Sequence, residues 1–569
     1  MLRPSITAVF MCAYPPGPGQ PPAARAYRSN TEPAAWHHER AIAEARGAGA
    51  LYPFRYPPAE KRHYRAVPAS PTICRTRTRT PRRHPHERRP HRRDRRPRDQ
   101  HGRRAGRSAR GAVLIEDDRI AAVARDAEEF AGVDAERIDA AGGFVLPGMV
   151  DSHRHTWMAL LRAVSADMSL PQFLASTFYG TGSVLQAADL GTASLVGALE
   201  ALDAGVTTIM DCCDCVNTPA HADAAVEALA EAGIRAVYAY GMQKYDFSPP
   251  GFAAHADRIA DARRLRAGAL SSDGGLVRMG MLLSDFGTVP FADTAAEVRA
   301  ARDLGVLVAS HTAAATTSIL LKGLREMDDH GLLLPGHVHI HCPALDGQEW
   351  RMLADTGAKV TIAPETEMQM GMGHPPFRAA IDAGIAPGVS TDIVCVGSGD
   401  LFSQMRLGLQ TQRMLDNDRV HATGTMPWTI GLSTRDALAW GTVNGADVLG
   451  LGDRIGSLTP GKKADVIVVR PRLGLVPSSH PVGSVVLQST AADVDTVLVD
   501  GVVRKRDGRL VGVDLAAVRD RAHASLARIQ EATAALPRHE PEEIAAWFGQ
   551  AERMATRNFG AAYADGLPG

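Results

Sequence analysis

The chain has 569 residues, 45% of them hydrophobic, which is ordinary for a folded protein and long enough for two or three domains or one large barrel with appendages. No apolar run approaches the roughly 20 residues needed to span a membrane, and residues 6–13 are too short and poorly flanked for a signal peptide. The net charge of zero hides an asymmetry. Residues 71–110 carry sixteen Arg and no Lys against Glu87, Asp94 and Asp99, giving +13. Residues 1–70 carry nine basic and four acidic side chains, giving +5, so the chain from 111 onward holds −18.

Residues 1–110 are rich in Pro, Arg and His and show neither strand nor helix periodicity, so they are expected to be a disordered leader. Translation upstream of the real start, or a shifted reading frame in a GC-rich gene, accounts equally for the all-Arg usage, and would make the segment non-native. The Arg run could meet an anionic surface, but it lacks interleaved aromatics and nucleic acid is not expected as a partner.

Order begins near Gly111, where 112–123 reads as a hairpin around an acidic turn. Strand patterns follow at 144–153, 205–212, 234–241, 276–284, 305–311, 336–342, 358–363 and 386–391. Helical patterns lie between or beyond them, at 187–204, 220–232, 294–304 and 433–449. Eight strands with intervening helices predict an α/β fold, a parallel (β/α)8 barrel over 144–449. Strand patterning returns at 456–469 and 494–504, expected to pair with 112–123 in a composite β-sandwich domain (111–143 and 450–512). Asp514 is predicted to cap a helix stopped by Pro537, and a second helix starts at Pro541, so 513–569 is read as C-terminal helices.

Barrel enzymes place working residues where strands end. The first barrel strand ends on His153-Arg-His155, two imidazoles on one side of an extended chain and able to grip one divalent metal. The fifth strand ends on His311, the sixth on His341 and the eighth on Asp392. Three imidazoles and one carboxylate make a first shell for Zn²⁺ or Fe²⁺ with a position left for water. Seven cysteines, three of them crowded at Cys212, Cys213 and Cys215, form no spaced disulfide framework, so a reducing cytoplasm is the expected location.

Leu146-Pro-Gly-Met-Val-Asp-Ser-His-Arg-His155, His311, His341-Cys342, Ser390-Thr-Asp392 and Gly461-Lys-Lys-Ala-Asp-Val-Ile-Val468 together resemble the metal-dependent amidohydrolase superfamily, in its cytosine/adenosine deaminase-related and chlorohydrolase branch. The resemblance runs from about 111 to 505. It implies a barrel plus composite β domain, one bound metal, and hydrolysis at a carbon bearing nitrogen or halogen. It implies that His153, His155, His311 and Asp392 ligate the metal and that His341 hydrogen-bonds the attacking hydroxide or polarises the substrate; Asp392, touching both metal and water, can accept the water proton. The expected substrate is a small cyclic amidine or amide.

One departure stands out. Deaminating members carry His-x-x-Glu after the fifth strand, and here the stretch is His311-Thr-Ala-Ala314. Either Glu365 or Glu367 could point into the pocket and contact substrate in its place, or both could be solvated loop acids. Ring-amide opening rather than deamination, and a catalytically weak metal- and ligand-binding relative, follow as alternatives. Trp157 either walls a ring-binding pocket or packs in the core, and Met368, Met370 and Met372 divide the same way. Asp285 is a further substrate-contact candidate. His337 and His339 read as strand residues with a possible supporting role, and Asp211-Cys-Cys-Asp-Cys215 is spaced too tightly for a structural zinc site. No membrane partner is expected, and assembly into a homo-oligomer is left open.

Overall fold

The computed structural model describes residues 72–76, 111–314, 323–471, 473 and 478–558, all within the unit Tyr64–Gly569. β1 (Thr72–Thr76), β2 (Ala112–Glu116), β3 (Arg119–Ala124) and β4 (Ala135–Asp139) form one sheet in the order β3-β2-β1-β4. β2 and β3 are the hairpin expected at 112–123. β1 corrects the reading that no strand precedes Gly111: it pairs parallel with β2 and antiparallel with β4. Its Thr-Ile-Cys-Arg-Thr sequence is rich in β-branched residues, which suit a pleated surface. The rest of the leader, with its Arg run, lies outside the described residues.

β5 (Phe144–Pro147) leads directly into the first barrel strand, β6 (Met149–Arg154). The single run expected at 144–153 is therefore two strands in two sheets. Gly148 makes the passage, because a Cβ there would lie 2.1 Å from Thr207 Oγ1. β7 (Val206–Cys213), β8 (Arg235–Gly241), β9 (Val277–Leu282), β10 (Leu307–Thr312), β11 (Val338–His341), β12 (Lys359–Ile362) and β13 (Gly388–Val389) follow β6 in unbroken parallel order. A bridge between Arg154 and Asp392 joins the two ends of this eight-stranded sheet. The molecule is thus a (β/α)8 barrel with an additional sheet domain.

Val150, Met210, Cys212, Ala239, Ala309 and Ile340 belong to a cluster of alternating strand positions that fills the barrel, distinct from the larger apolar layer between strands and helices. The helices Pro219–Ala232, Phe291–Leu304 and Gly347–Thr356 each end on a left-handed glycine, Gly233, Gly305 and Gly357, one or two residues before the next strand.

β14 (Val466–Val469), β15 (Val494–Val499), β16 (Val502–Arg506) and β17 (Arg509–Leu510) join β5 in the order β17-β16-β15-β14-β5. β14 to β17 lie in a separate sheet from the hairpin, and the pairing expected between 456–469 and 112–123 is confined to 461–464, where Ile120 N donates to Lys462 O (2.9 Å), Gly461 N to Ile120 O (2.8 Å) and Ala464 N to Asp118 O (2.8 Å) about the bridge Arg119–Lys463. The two sheets share a core of Val113, Ile115, Ile138, Val145, Val466 and Leu498. Gly461-Lys-Lys-Ala-Asp465 is a structural clamp in this arrangement. Asp465 accepts from Arg235 Nε (2.7 Å) and Nη2 (2.9 Å) at the start of β8, tying the small domain to the barrel. Asp514 caps the helix Leu515–Ala534, accepting from Ala516 N and Ala517 N, and the helix Pro541–Asn558 follows.

Candidate metal centre

Closing the barrel builds the site. Asp392 N donates to His153 O (3.1 Å) and His155 N donates to Asp392 O (3.0 Å), so the end of the last strand is laced to the end of the first. This sets the Asp392 carboxylate 3.0 Å from His153 Nε2, 3.4 Å from His155 Nε2 and 3.9 Å from His341 Nε2. His311, at the end of β10, completes the ring, its centroid 5.4 Å from those of both His153 and His155. Donor atoms of His153, His311 and His341 lie within 4.8 Å of one another, as do those of His153, His155 and Asp392. His341 and Asp392 hold left-handed φ angles of 74° and 57°, a conformation that costs a non-glycine residue on the order of 1 kcal/mol or more and concentrates at working sites.

Each imidazole is engaged from behind through Nδ1. His153 meets Cys212 Sγ at 3.1 Å, and His155 meets Asp214 Oδ2 at 2.5 Å and Cys212 O at 2.9 Å. His311 meets Asp285 Oδ1 at 3.1 Å and His341 meets Glu367 Oε1 at 3.2 Å. The carboxylates of Asp214, Asp285 and Glu367 accept from His155, His311 and His341 and orient those rings, while Nε2 of His153, His155 and His341 lies toward Asp392.

The electrostatics of the metal-free ring are lopsided. Burial pushes His153 down to about 3, against the pull of Asp392, so this imidazole is neutral. Burial also disfavours charge on His155, but the carboxylates of Asp214, Asp392 and Asp211, Asp214 foremost, together lift it to about 9. Asp392 is held far below the usual carboxylate range, because its imidazole neighbours overcome the cost of its burial. A neutral imidazole and an anionic carboxylate therefore stand 3.0 Å apart, and the buried His153 Nε2 has no hydrogen-bond partner among the described residues. A cation between them satisfies both groups, and the nitrogen–oxygen donor set suits zinc or ferrous iron. The residues fit the metal that the strand-end pattern implies.

The other sequence candidates divide. Trp157 does not wall the cavity: it is buried, and its Nε1 donates to Asp214 Oδ2 (3.2 Å), bracing the acid that holds His155. Glu365 is turned away, accepting from Ser398 N (2.8 Å) and Gln404 Nε2 (2.7 Å). Glu367 sits behind His341 and also accepts from Ala363 N (2.8 Å), so it too is set back from substrate. Asp285 lines the cavity but is tied to His311. Met370 and Met372 line the cavity, whereas Met368 takes a hydrogen bond from Thr411. His337 and His339 pair with Ser310 Oγ and Thr312 Oγ1, both at 2.9 Å, and take no part in the ring.

Sequence reasoning missed two features. Asp211-Cys-Cys-Asp-Cys215 is a supporting collar: Asp214 holds His155, Cys212 backs His153, and Asp211 accepts from Thr156 N and Oγ1. Its place at the end of β7 was the available signal. The second is an apolar wall made by Leu170, Phe173, Leu174 and Phe178 in the long connection after β6. The i, i+3, i+4 spacing of the first three was legible as a helical face. With the metal-ring side chains and Ala314, this wall lines a small, partly open cavity beside the ring.

The amidohydrolase family pattern matches residues 144–504. The 5-methylthioadenosine/S-adenosylhomocysteine deaminase of Symbiobacterium thermophilum is 30% identical over 445 residues, 75% of this chain and 94% of that protein. The 5'-deoxyadenosine deaminase of Methanobrevibacter smithii is 27% identical over 74% of this chain and 95% of its own length. Among solved structures, a zinc-bound adenosine deaminase from Xanthomonas campestris superposes with a TM-score of 0.65 at 23% identity, over 74% of this chain and 93% of that one. The zinc complex of atrazine chlorohydrolase from Arthrobacter aurescens gives 0.61 at 22%, over 73% and 94%. The chain belongs to the amidohydrolase family.

Proposed function

We propose that this hydrolase of carbon–nitrogen bonds other than peptide bonds acts on a small cyclic amidine or amide, with one divalent ion held by His153, His155, His311 and Asp392. The observation that carries the reading is the convergence of four imidazoles and one carboxylate at the end of the barrel where strands 6 and 13 meet. When bound, such an ion acidifies water from about 15.7 toward 7. Asp392, kept anionic by its imidazole neighbours, takes the proton of the attacking water on its carboxylate. His341, oriented by Glu367, presents Nε2 to the substrate atom on which charge develops.

Ala314 lines the cavity, and no acidic residue occurs between His311 and Glu326. The leaving nitrogen therefore receives its proton from Asp392 or His341, or remains tethered when a ring amide opens. The zinc of the structural relatives and the donor set both support Zn²⁺ or Fe²⁺. Cys212, Cys213, Cys215, Cys342 and Cys395 are free and buried, which fits the cytoplasm. No described helix is long and apolar enough to cross a membrane.

The test is a panel of aminated heterocycles and cyclic amides offered to the metal-loaded protein, with ammonia release and ring-opening absorbance read in parallel. Turnover that disappears on chelation and in Asp392→Asn is expected. Turnover that survives either treatment contradicts the reading.

A further inference from the structure

The two C-terminal helices pack on the cavity wall. Leu170, Phe173, Leu174 and Phe178 of that wall lie in one stretch, 170–181, whose second part, Leu174–Thr181, is wound as an eight-residue π-helix. π-Helices are rare beyond a single turn and recur at functional sites, so a run of this length depends on packing from outside. That packing comes from the C-terminus. The helix Leu515–Ala534 brings Thr533 Oγ1 to 3.5 Å from Thr181 Oγ1 and pairs Arg528 with Asp189. The helix Pro541–Asn558 packs against Leu170–Phe173 and sets the Trp547 ring 5.9 Å from that of Tyr179 at 68°, edge to face. Tyr179 in turn meets Phe178 at 5.0 Å and Tyr245 at 5.7 Å. Gly182, just after the wall, admits the Tyr245 ring, because a Cβ there would lie 2.4 Å from Cε1 of that ring. A continuous row of rings therefore runs from the helix Pro541–Asn558 to Phe178 at the cavity. The outer helix is lightly held. Ile544 is buried and Phe548 and Ala551 are partly buried, whereas Trp547 is 38% exposed. A helix of this length is marginal alone in water, so that narrow apolar stripe keeps it in place, and elements with so few buried contacts open first.

We propose that the helix Pro541–Asn558 is a latch on the cavity wall. Tyr179 and Trp547 are positioning residues. They touch no substrate, but through Phe178 they hold 170–181 in place beside the metal ring, and release of Trp547 lets the wall swing and the cavity loosen. The latch acts on substrate binding rather than on the metal, because His155, His311 and His341 are braced from other elements by Asp214, Asp285 and Glu367. This role for the wall rests on the reading of the cavity as the substrate site of a hydrolase.

The experiment compares the full-length, metal-loaded parent with Trp547→Ala, Trp547→Phe and, as a control, Trp428→Ala, whose indole is 94% exposed beyond the helix Leu401–His421. Amide hydrogen exchange read by mass spectrometry reports the wall directly, and steady-state kinetics on the panel compound turned over fastest report the cavity. In Trp547→Ala, peptides covering 170–181 and 541–558 are expected to exchange about tenfold faster, as befits one lost aromatic pair, while those covering Val206–Cys213 keep the parent rate. KM rises about tenfold with kcat within threefold, and Zn²⁺ affinity is unchanged. Trp547→Phe keeps exchange and KM within threefold of the parent, and Trp428→Ala changes neither. Faster exchange in 541–558 without any in 170–181 overturns the proposal, because the helix has then let go and the wall has not followed. Unchanged exchange in both segments overturns it, as does faster exchange in the wall with KM unmoved, or a loss that Trp547→Phe does not repair. Exchange that quickens equally in Val206–Cys213 shows a loosened fold and also overturns it. If no compound is turned over by the parent, the hydrolase reading falls, and the exchange rates alone decide the latch.

Discussion

Replacing Asp214 by Asn removes one charge and leaves side-chain size unchanged, and its effect on metal affinity depends on pH in a way the geometry specifies. In the metal-free protein the carboxylate lies 2.5 Å from His155 Nδ1 and is the largest of the charges that lift that imidazole to about 9. At pH 7 only about one molecule in a hundred then carries a neutral His155, so the metal must displace a proton and its apparent affinity is about 100-fold below that at high pH. Without Asp214, the largest of the charges opposing burial is gone and His155 loses its proton at lower pH, so that competition weakens. Against this gain stands the loss of the charge-assisted bond that aims the ring, which typically costs 10–100-fold in metal affinity. Cys212 O, 2.9 Å from Nδ1, still accepts from the ring and keeps the loss within that range. The gain offsets part of that loss at pH 7, and the full 10–100-fold deficit emerges at pH 9. Competition titrations of Zn²⁺ against a chromophoric chelator at pH 7, 8 and 9 should show parent affinity rising about ninefold from pH 7 to 8 and about fivefold from pH 8 to 9, and the variant with a distinctly flatter profile. Parallel profiles, or equal affinities at pH 9, would refute the reasoning.

Glu367→Gln, which weakens the hold on His341, should lower kcat at least tenfold with KM nearly unchanged, while Glu365→Gln, which touches only Ser398 and Gln404, leaves both constants within twofold; steady-state kinetics on the best panel substrate decide. Trp157→Phe removes the bond to Asp214 but not a cavity wall, so zinc affinity in the chelator titration should fall a few-fold while substrate KM holds; a raised KM would restore Trp157 to the pocket. Burial pushes His337 down to about 3 and His339 well below its ordinary value, so both are neutral when folded but protonate near 6.5 once unfolded. The contribution of His337 to stability is present above pH 6.5 and is lost as pH falls toward 3, at about 1.4 kcal/mol per pH unit, and that of His339 changes in the same direction. His337→Gln should therefore show a shallower decline between pH 6 and 5 in urea unfolding, and slopes identical to the parent would count against it.

The barrel was legible because its strands are apolar runs bounded by helices ending on glycine, and that pattern is local. The ligands were legible for a related reason: His153, His155, His311, His341 and Asp392 all fall at strand ends, where barrel geometry forces convergence. What escaped depended on contacts between distant segments. β1 was hidden in an Arg-rich stretch whose composition argues against order, and it is identified only by pairing with β2 and β4. The break at Gly148 is set by Thr207, almost sixty residues away in sequence. For Trp157 the chain neighbours left pocket wall and core packing open, and the structure places the ring in the core, its indole nitrogen donating to Asp214 just past the end of β7. Glu365 and Glu367 are two residues apart, and only the helix that starts at Pro364 decides that one faces Gln404 and the other His341.

The central claim is that one catalytic cation sits where the first and last barrel strands meet. Anomalous diffraction at the zinc edge from crystals of the metal-loaded protein tests it most directly. The account predicts one peak within bonding distance of His153, His155, His311 and Asp392. A peak at Cys212–Cys215 instead, or zinc in the crystal without a peak among these four side chains, would contradict it.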